Sequence, residues 1–239
     1  MKISIIIPVA PQFQHAEKYL KRCLASILWQ LEDEDEVIIE GAGNHDESWQ
    51  KAADSKDGHQ RIIWLGEKPN RGISASRNRA IWECSGDWIK FMDCDDMLAP
   101  YALSTFRSLA IPDSIQLVAG PQIKVVNGKL QGLSPRPPLS DIKVRNPTLP
   151  SMTFVRRAAL MAVDGFRENI HFEEDWDLWL RLEEKFGLNS LASVSWPVCY
   201  YWIDEQERLF KTADHTVEYS GKRMDVREYF KRVYGCKPE

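Results

Sequence analysis

The chain lacks any apolar run approaching the ~20 residues that a membrane-spanning helix needs. Its opening, MKISIIIPVA, is too short and too strand-like for a secretion signal. Cysteine is sparse: Cys23, Cys84, Cys94, Cys199 and Cys236 are scattered, odd in number and without CxxC spacing. Neither a disulfide framework nor a structural zinc site is expected, and reduced thiols in a cytoplasm fit best, with any membrane contact peripheral. Excess positive charge is missing too. A net charge of −4 and a pI near 5.8 provide no general basic surface for nucleic acid, which is disfavoured as a partner. The histidines, His15, His45, His59, His171 and His215, have no metal-motif spacing, and surface positions are expected for them. There is no internal repeat and no clear linker.

What is present is a globular composition, 44% hydrophobic and 28% charged over 239 residues, which suits one α/β domain spanning residues 1–239. ISIIIPV, Ile3 to Val9, is a β-branched run closed by Pro8, and EKYLKRCLASILWQ then places Tyr19, Leu20, Leu24, Ile27 and Leu28 at helical spacing. VII (Val37 to Ile39) and RIIWL (Arg61 to Leu65) read as short strands, ISASRNRAIWECS as a helix ended by Gly86, and DWIKFM as the next strand. Alternating strand and helix predicts a doubly wound, mostly parallel, Rossmann-like sheet with helices on both faces. Ligands of such a sheet bind beyond the carboxyl ends of its strands. Residues 111–205 differ: IQLVAGPQIKVVNGKLQG reads as strands around an Asn127-Gly128 turn, and LSPRPPLSDIKVRNPTLP as a long loop of the kind that covers a site. A helix in EEDWDLWLRLEEKF and strands near LASVSW and VCYYW follow. Residues 206–239 form a small helical extension, with a terminal helix expected in VEYSGKRMDVREYFKRVY.

Two acidic clusters stand out. In KFMDCDD, Asp93, Asp95 and Asp96 lie where a strand ends, and carboxylates so close repel one another unless a cation offsets them. The alternative is a solvated acidic turn in which Asp96 caps the helix expected after MLAP. Glu173, Glu174 and Asp175 open the EEDWDLW helix, where they either complement the positive end of its dipole or supply a general base. Arg77 and Asn78 sit on a helix whose N-terminus faces the first cluster, and Arg71 lies in the preceding turn. An arginine there could meet phosphate or base, or merely pair with a helix neighbour.

ISIIIPV, NRGISASRNRAIWECSGDWIKFMDCDD and FEEDWDLWLRL, in this order and spacing, resemble the family-two glycosyltransferases of the GT-A fold over roughly residues 1 to 205. The resemblance implies an inverting, metal-dependent enzyme that moves one sugar from a nucleoside-diphosphate sugar to an acceptor hydroxyl. Residues 1–110 would be the nucleotide-sugar half and 111–205 the acceptor half. Asp93 and Asp95 match the D-x-D pair, with Asp96 a near neighbour, and would hold Mn2+ or Mg2+ against the donor diphosphate. Asp175 matches the Asp of the E-D motif and would be the base, supported by Glu174. Pro8, Glu40, Arg71, Arg77 and Asn78 would line the nucleotide pocket. UDP is the family's commonest donor nucleotide, with GDP and deoxythymidine diphosphate open. The acceptor is expected to be a glycan or lipid-linked saccharide in surface polysaccharide or glycoconjugate synthesis. Trp179 shares a helix face with Asp175, Leu178 and Leu182 and belongs to the core; Trp176 lies off that face and could stack on an acceptor sugar.

The sequence departs from the family after the second strand, where VIIEGAGNHDES replaces the usual aspartate pair and Gly-Ser. Glu40 is the nearest carboxylate for the nucleobase, and Asp46 either matches the last Asp of that pattern or caps a helix. No Q-x-x-R-W motif follows, so single addition is expected in place of processive synthesis. Two other functions stay open: a nucleotidyltransferase, and a non-catalytic sugar-nucleotide or glycan-binding module. In the tail, Met224, Val226, Tyr229, Phe230 and Val233 alternate with Lys and Arg. They form either a helix packed on the domain or a peripheral membrane contact.

Overall fold

ISIIIP forms β1 (Ile3–Pro8), buried at every position because successive side chains enter opposite faces of a sheet covered on both sides. The structure, a computed structural model, describes residues 1–9, 16–41, 61–66, 69, 71–203 and 216–236. After β1 come α1 (Ala16–Ile27), β2 (Glu36–Glu40), β3 (Ile62–Trp64), α2 (Ile73–Glu83), β4 (Trp88–Phe91), the two-residue β5 (Met97–Leu98) and α3 (Ala102–Arg107). The second half contains β6 (Leu117–Ala119), β7 (Gln122–Val126), β8 (Lys129–Leu133), β9 (Thr153–Arg156), α4 (Arg157–Ala162), α5 (Glu174–Phe186), β10 (Leu191–Ser193) and β11 (Cys199–Ile203). A hairpin, β12 (Thr216–Tyr219) with β13 (Lys222–Asp225), and α6 (Val226–Tyr234) close the described chain.

Seven strands form the central sheet in the order β10-β6-β9-β4-β1-β2-β3, and β9 alone runs against its neighbours. The other six therefore present their carboxyl ends at one edge, the one from which the turn after β4 leaves. A second sheet, β5-β11-β7-β8, stands at that edge. Asn127 and Gly128, both at positive φ, make the turn between β7 and β8 that their sequence predicts.

The core has two layers. Ile3, Ile5, Ile7, Val37, Ile39 and Trp88 pack on Leu20, Leu24 and Ile27 of α1 and Phe106 of α3. On the opposite face Ile6, Ile38, Ile89 and Phe91 meet Ile81 of α2, Leu160 of α4, Leu178, Trp179 and Leu182 of α5, and Phe230 of α6. Trp179 is thus in the core, where the helical spacing puts it.

Two local expectations are corrected. Met97–Leu98 is a strand paired with Cys199 and Tyr200, and the next helix starts at Ala102, so Asp96 caps no helix. The segment expected as a single terminal helix is a hairpin followed by a helix. Ser220 and Gly221 turn it at positive φ, and the Asp225 carboxylate caps α6 by accepting from Arg227 N at 2.8 Å. The apolar face of α6 is not offered to a membrane: Val226, Tyr229 and Phe230 are buried, with the Phe230 ring 4.5 Å from that of Trp176. Phe230→Ala is accordingly expected to cost about 3 kcal/mol of stability, read as a lowered urea midpoint.

Candidate active site

The acidic turn after β4 is held from three sides. Ser26 Oγ of α1 accepts from Leu98 N at 2.9 Å, and the Gln30 amide donates to Ala99 O at 3.1 Å. Arg22, also on α1, donates to Asp95 O and lies 3.8 Å from the Trp202 ring centroid, with Tyr19 near its other side. Trp202 N in turn donates to Asp96 Oδ1 at 3.0 Å. Beneath the turn lies a buried lysine. Lys90 Nζ donates to Phe91 O at 2.8 Å and to Ser151 O, and burial lowers its pKa to about 8.

Within this frame the three carboxylates are not equivalent. Asp93 and Asp95 are half-buried, whereas Asp96 is fully buried and its Oδ2 finds no partner among the described residues. Burial and the neighbouring Asp93 push the Asp95 carboxyl up to about 7. Burial, Asp95 and Asp93 raise Asp96 well above the ordinary carboxylate range.

The second cluster lies within reach of the first through one side chain. Arg77, only 4% exposed, sends NH2 to Asp93 Oδ1 at 3.1 Å and NH1 to Glu174 Oε1 at 2.8 Å. Burial opposes its charge, but Asp93, Glu174 and Asp175 outweigh that and raise its pKa. Asp175 is 6% exposed; its Oδ1 accepts from Trp176 N at 2.8 Å and from Asn146 Nδ2 at 2.9 Å. No described residue donates to its Oδ2. Burial, then Glu174 and Glu173, hold the Asp175 carboxyl well above its usual pKa.

Other sequence-predicted residues have different surroundings. Pro8 ends β1 and pairs in register with Glu40 at the end of β2. Glu40 is wholly buried and ion-paired with Arg79 of α2, a residue the sequence reading passed over. Arg71 is exposed and bonds Glu168 at 2.8 Å. Asn78 is removed from the pocket lining: its Nδ2 donates to Phe166 O and its Oδ1 accepts from Phe166 N, both at 2.8 Å, so its amide clamps the chain after Gly165. Trp176 is removed as a sugar platform, because the residue is 3% exposed, its ring packs tilted against Phe230 and it donates Nε1–H to Ile142 O at 2.7 Å. His171 is exposed, as expected; Asp46 and the other histidines lie outside the described residues.

Sequence reasoning missed Asn146, Arg79, Arg22, Trp202 and Lys90. Lys90 alone carried a local signal, as a lysine inside a strand otherwise patterned for burial. The rest act through contacts distant in the chain.

The carboxylates thus stand at the carboxyl edge of a doubly wound sheet, where ligands of such sheets bind, with a second acidic cluster at a facing helix end. The sequence profile described as glycosyl transferase family 2 matches residues 4–160, and the chain belongs to that family. Among curated proteins, glycosyltransferase GlyA of Streptococcus pneumoniae is 33% identical over 119 residues, covering 50% of this chain and 16% of that one. Chondroitin synthase of Escherichia coli is 29% identical over 190 residues, 76% of this chain and 26% of the other. The chain thus spans well under half the length of these relatives. Staphylococcus aureus TarS in complex with UDP-GlcNAc superposes with a TM-score of 0.68 at 21% identity, over 89% of this chain and 61% of that one. Glucosyl-3-phosphoglycerate synthase of Mycobacterium tuberculosis, in complex with Mn2+, UDP and glucosyl-3-phosphoglycerate, gives 0.55 at 18% identity, over 84% and 71%. At these identities the likeness is one of fold, and that fold is GT-A.

Removing Arg77 leaves two carboxylates facing each other across a buried gap. Arg77→Leu is expected to lower stability by about 3 kcal/mol in urea unfolding, with Arg77→Lys recovering only part because one ammonium cannot reproduce the forked contact.

Proposed function

We propose that this chain is an inverting glycosyltransferase that moves one sugar from a nucleoside-diphosphate sugar, UDP being the first choice, to a hydroxyl of a glycan or lipid-linked saccharide. The observation that supports this reading is the Arg77 bridge from Asp93 to Glu174, the residue just before the candidate base. Asp175 takes the proton from the acceptor hydroxyl onto Oδ2 as the hydroxyl oxygen attacks the anomeric carbon from the face opposite the diphosphate. Its raised pKa makes it a stronger base than an exposed aspartate, and Glu174, tied to Arg77, supports it.

The donor set at the other cluster fits Mn2+ or Mg2+. It offers hard carboxylate oxygens, and the crowding that raises Asp95 is the kind a divalent cation relieves. Asp93 and Asp95 would hold the ion, with Asp96 behind them anchored to Trp202 N. When bound, it would offset the charge that builds on the departing nucleoside diphosphate.

Calorimetric titration of UDP, GDP and deoxythymidine diphosphate with and without Mn2+ tests the donor site. One nucleotide should bind only with metal, and Asp95→Ala should abolish that binding. No binding to folded protein would overturn the reading, and pyrophosphate release from a nucleoside triphosphate would replace it with a nucleotidyltransferase. Below its pKa Asp95 carries a proton on an oxygen the cation needs, so metal-dependent affinity should rise as pH increases through about 7, with proton release on binding. Asp175→Asn should leave nucleotide binding intact and cut sugar release about 100-fold or more.

A further inference from the structure

The base candidate is surrounded by charge of its own sign. Glu174, just before it in the chain, pairs with Arg77 of α2, and Asp93 lies beyond that arginine. Glu173, at the N-cap of α5, adopts φ 59° and ψ 30°, a left-handed conformation that a non-glycine residue enters at a cost. One neutral group meets this crowd. Asn146 Nδ2 donates to Glu173 Oε2 and to Asp175 Oδ1, each at 2.9 Å, so its two amide hydrogens serve two carboxylates.

Asn146 belongs to the long segment between β8 and β9, and that segment is pinned on both sides of it by α5. Trp176 Nε1 donates to Ile142 O at 2.7 Å and Trp179 Nε1 to Thr148 O at 3.0 Å. The charged neighbours of Asn146 are engaged elsewhere: Lys143 pairs with Glu183 and Arg145 with Asp141. The amide is therefore the one side chain of this segment with a hydrogen bond to Asp175 among the described residues.

We propose that Asn146 is a positioning residue for the base, favouring the ionised form of Asp175 and orienting its carboxylate by splitting its amide between that carboxylate and Glu173. This rests on the reading of Asp175 as the base. A lysine in the same place would neutralise Asp175 and weaken it as a base. With no donor there, Glu173 and Glu174 would drive a proton onto it, whereas an amide favours the ionised form and adds no charge.

The test is a carbon-13 NMR titration of aspartate-labelled protein, with the Asp175 carboxyl resonance assigned by its loss in Asp175→Asn. Asn146→Ala should raise the Asp175 midpoint by about one pH unit. The acid limb of kcat for sugar release should move up with it, while Mn2+-dependent nucleotide affinity stays within about twofold. Asn146→Asp has nearly the same shape and keeps the segment packed, but adds a fourth carboxylate to Glu173, Glu174 and Asp175, and it should raise the midpoint further. An unchanged midpoint in either folded variant overturns the proposal. The titration needs neither donor nor acceptor, so a protein that releases no sugar would refute the base assignment while leaving the amide's effect on Asp175 measurable.

Discussion

The site depends on one buried guanidinium. A side chain as enclosed as Arg77 would be expensive to keep charged without carboxylates on both sides, and Asp93 and Glu174 would repel each other without it. The forked shape matters as much as the charge, because each nitrogen faces a different element: β4 through its following turn, and α5 through its first residue. Phe166, 5.2 Å from the guanidinium, supports it from below and is itself fixed by the amide of Asn78. The Arg-Asn pair of the sequence thus divides its labour, the arginine joining two acidic clusters and the asparagine holding the floor under it.

That division shows what a sequence conveys and what it does not. The strands and helices of the sheet were legible because burial on two faces imposes β-branched runs, and amphipathic helices impose a 3.6-residue period. The acidic clusters were legible because like charges close in sequence need an explanation whatever the fold. Asn78 and Trp176 were misassigned for a shared reason: a polar or amphipathic residue near a site has the same letter whether it faces ligand or backbone. Only the position of Phe166 O and of Ile142 O, distant in the chain, decides between them. The hairpin at Ser220-Gly221 was readable from its turn and was obscured by the amphipathic run beyond it.

The departure after β2 has a structural counterpart. Glu40 is buried against Arg79 rather than exposed at the rim, so α2 sends two arginines of one turn, two residues apart, to different strand ends, Arg77 toward β4 and Arg79 toward β2. Arg79 also reaches Pro69 O at 3.3 Å, which ties the segment entering α2 to the same strand end. The Glu40 carboxylate at this edge is thus already neutralised by the helix packed beside it.

The last described elements belong to the site as much as the first. Asp177 is fully buried two residues past Asp175 and receives Arg167 at 3.0 Å, Arg181 at 2.8 Å and Tyr234 Oη at 2.6 Å. Tyr234 lies on α6, as does Phe230 beneath Trp176, so α6 grips α5 on both sides of its first turn. The grip is polar on one side and apolar on the other, which fixes rotation about the helix axis as well as position. Rotation is what an aspartate on the first turn of a helix cannot set for itself: Asn146 restrains the carboxylate, the two indoles restrain Asn146, and α6 restrains the helix that carries them all.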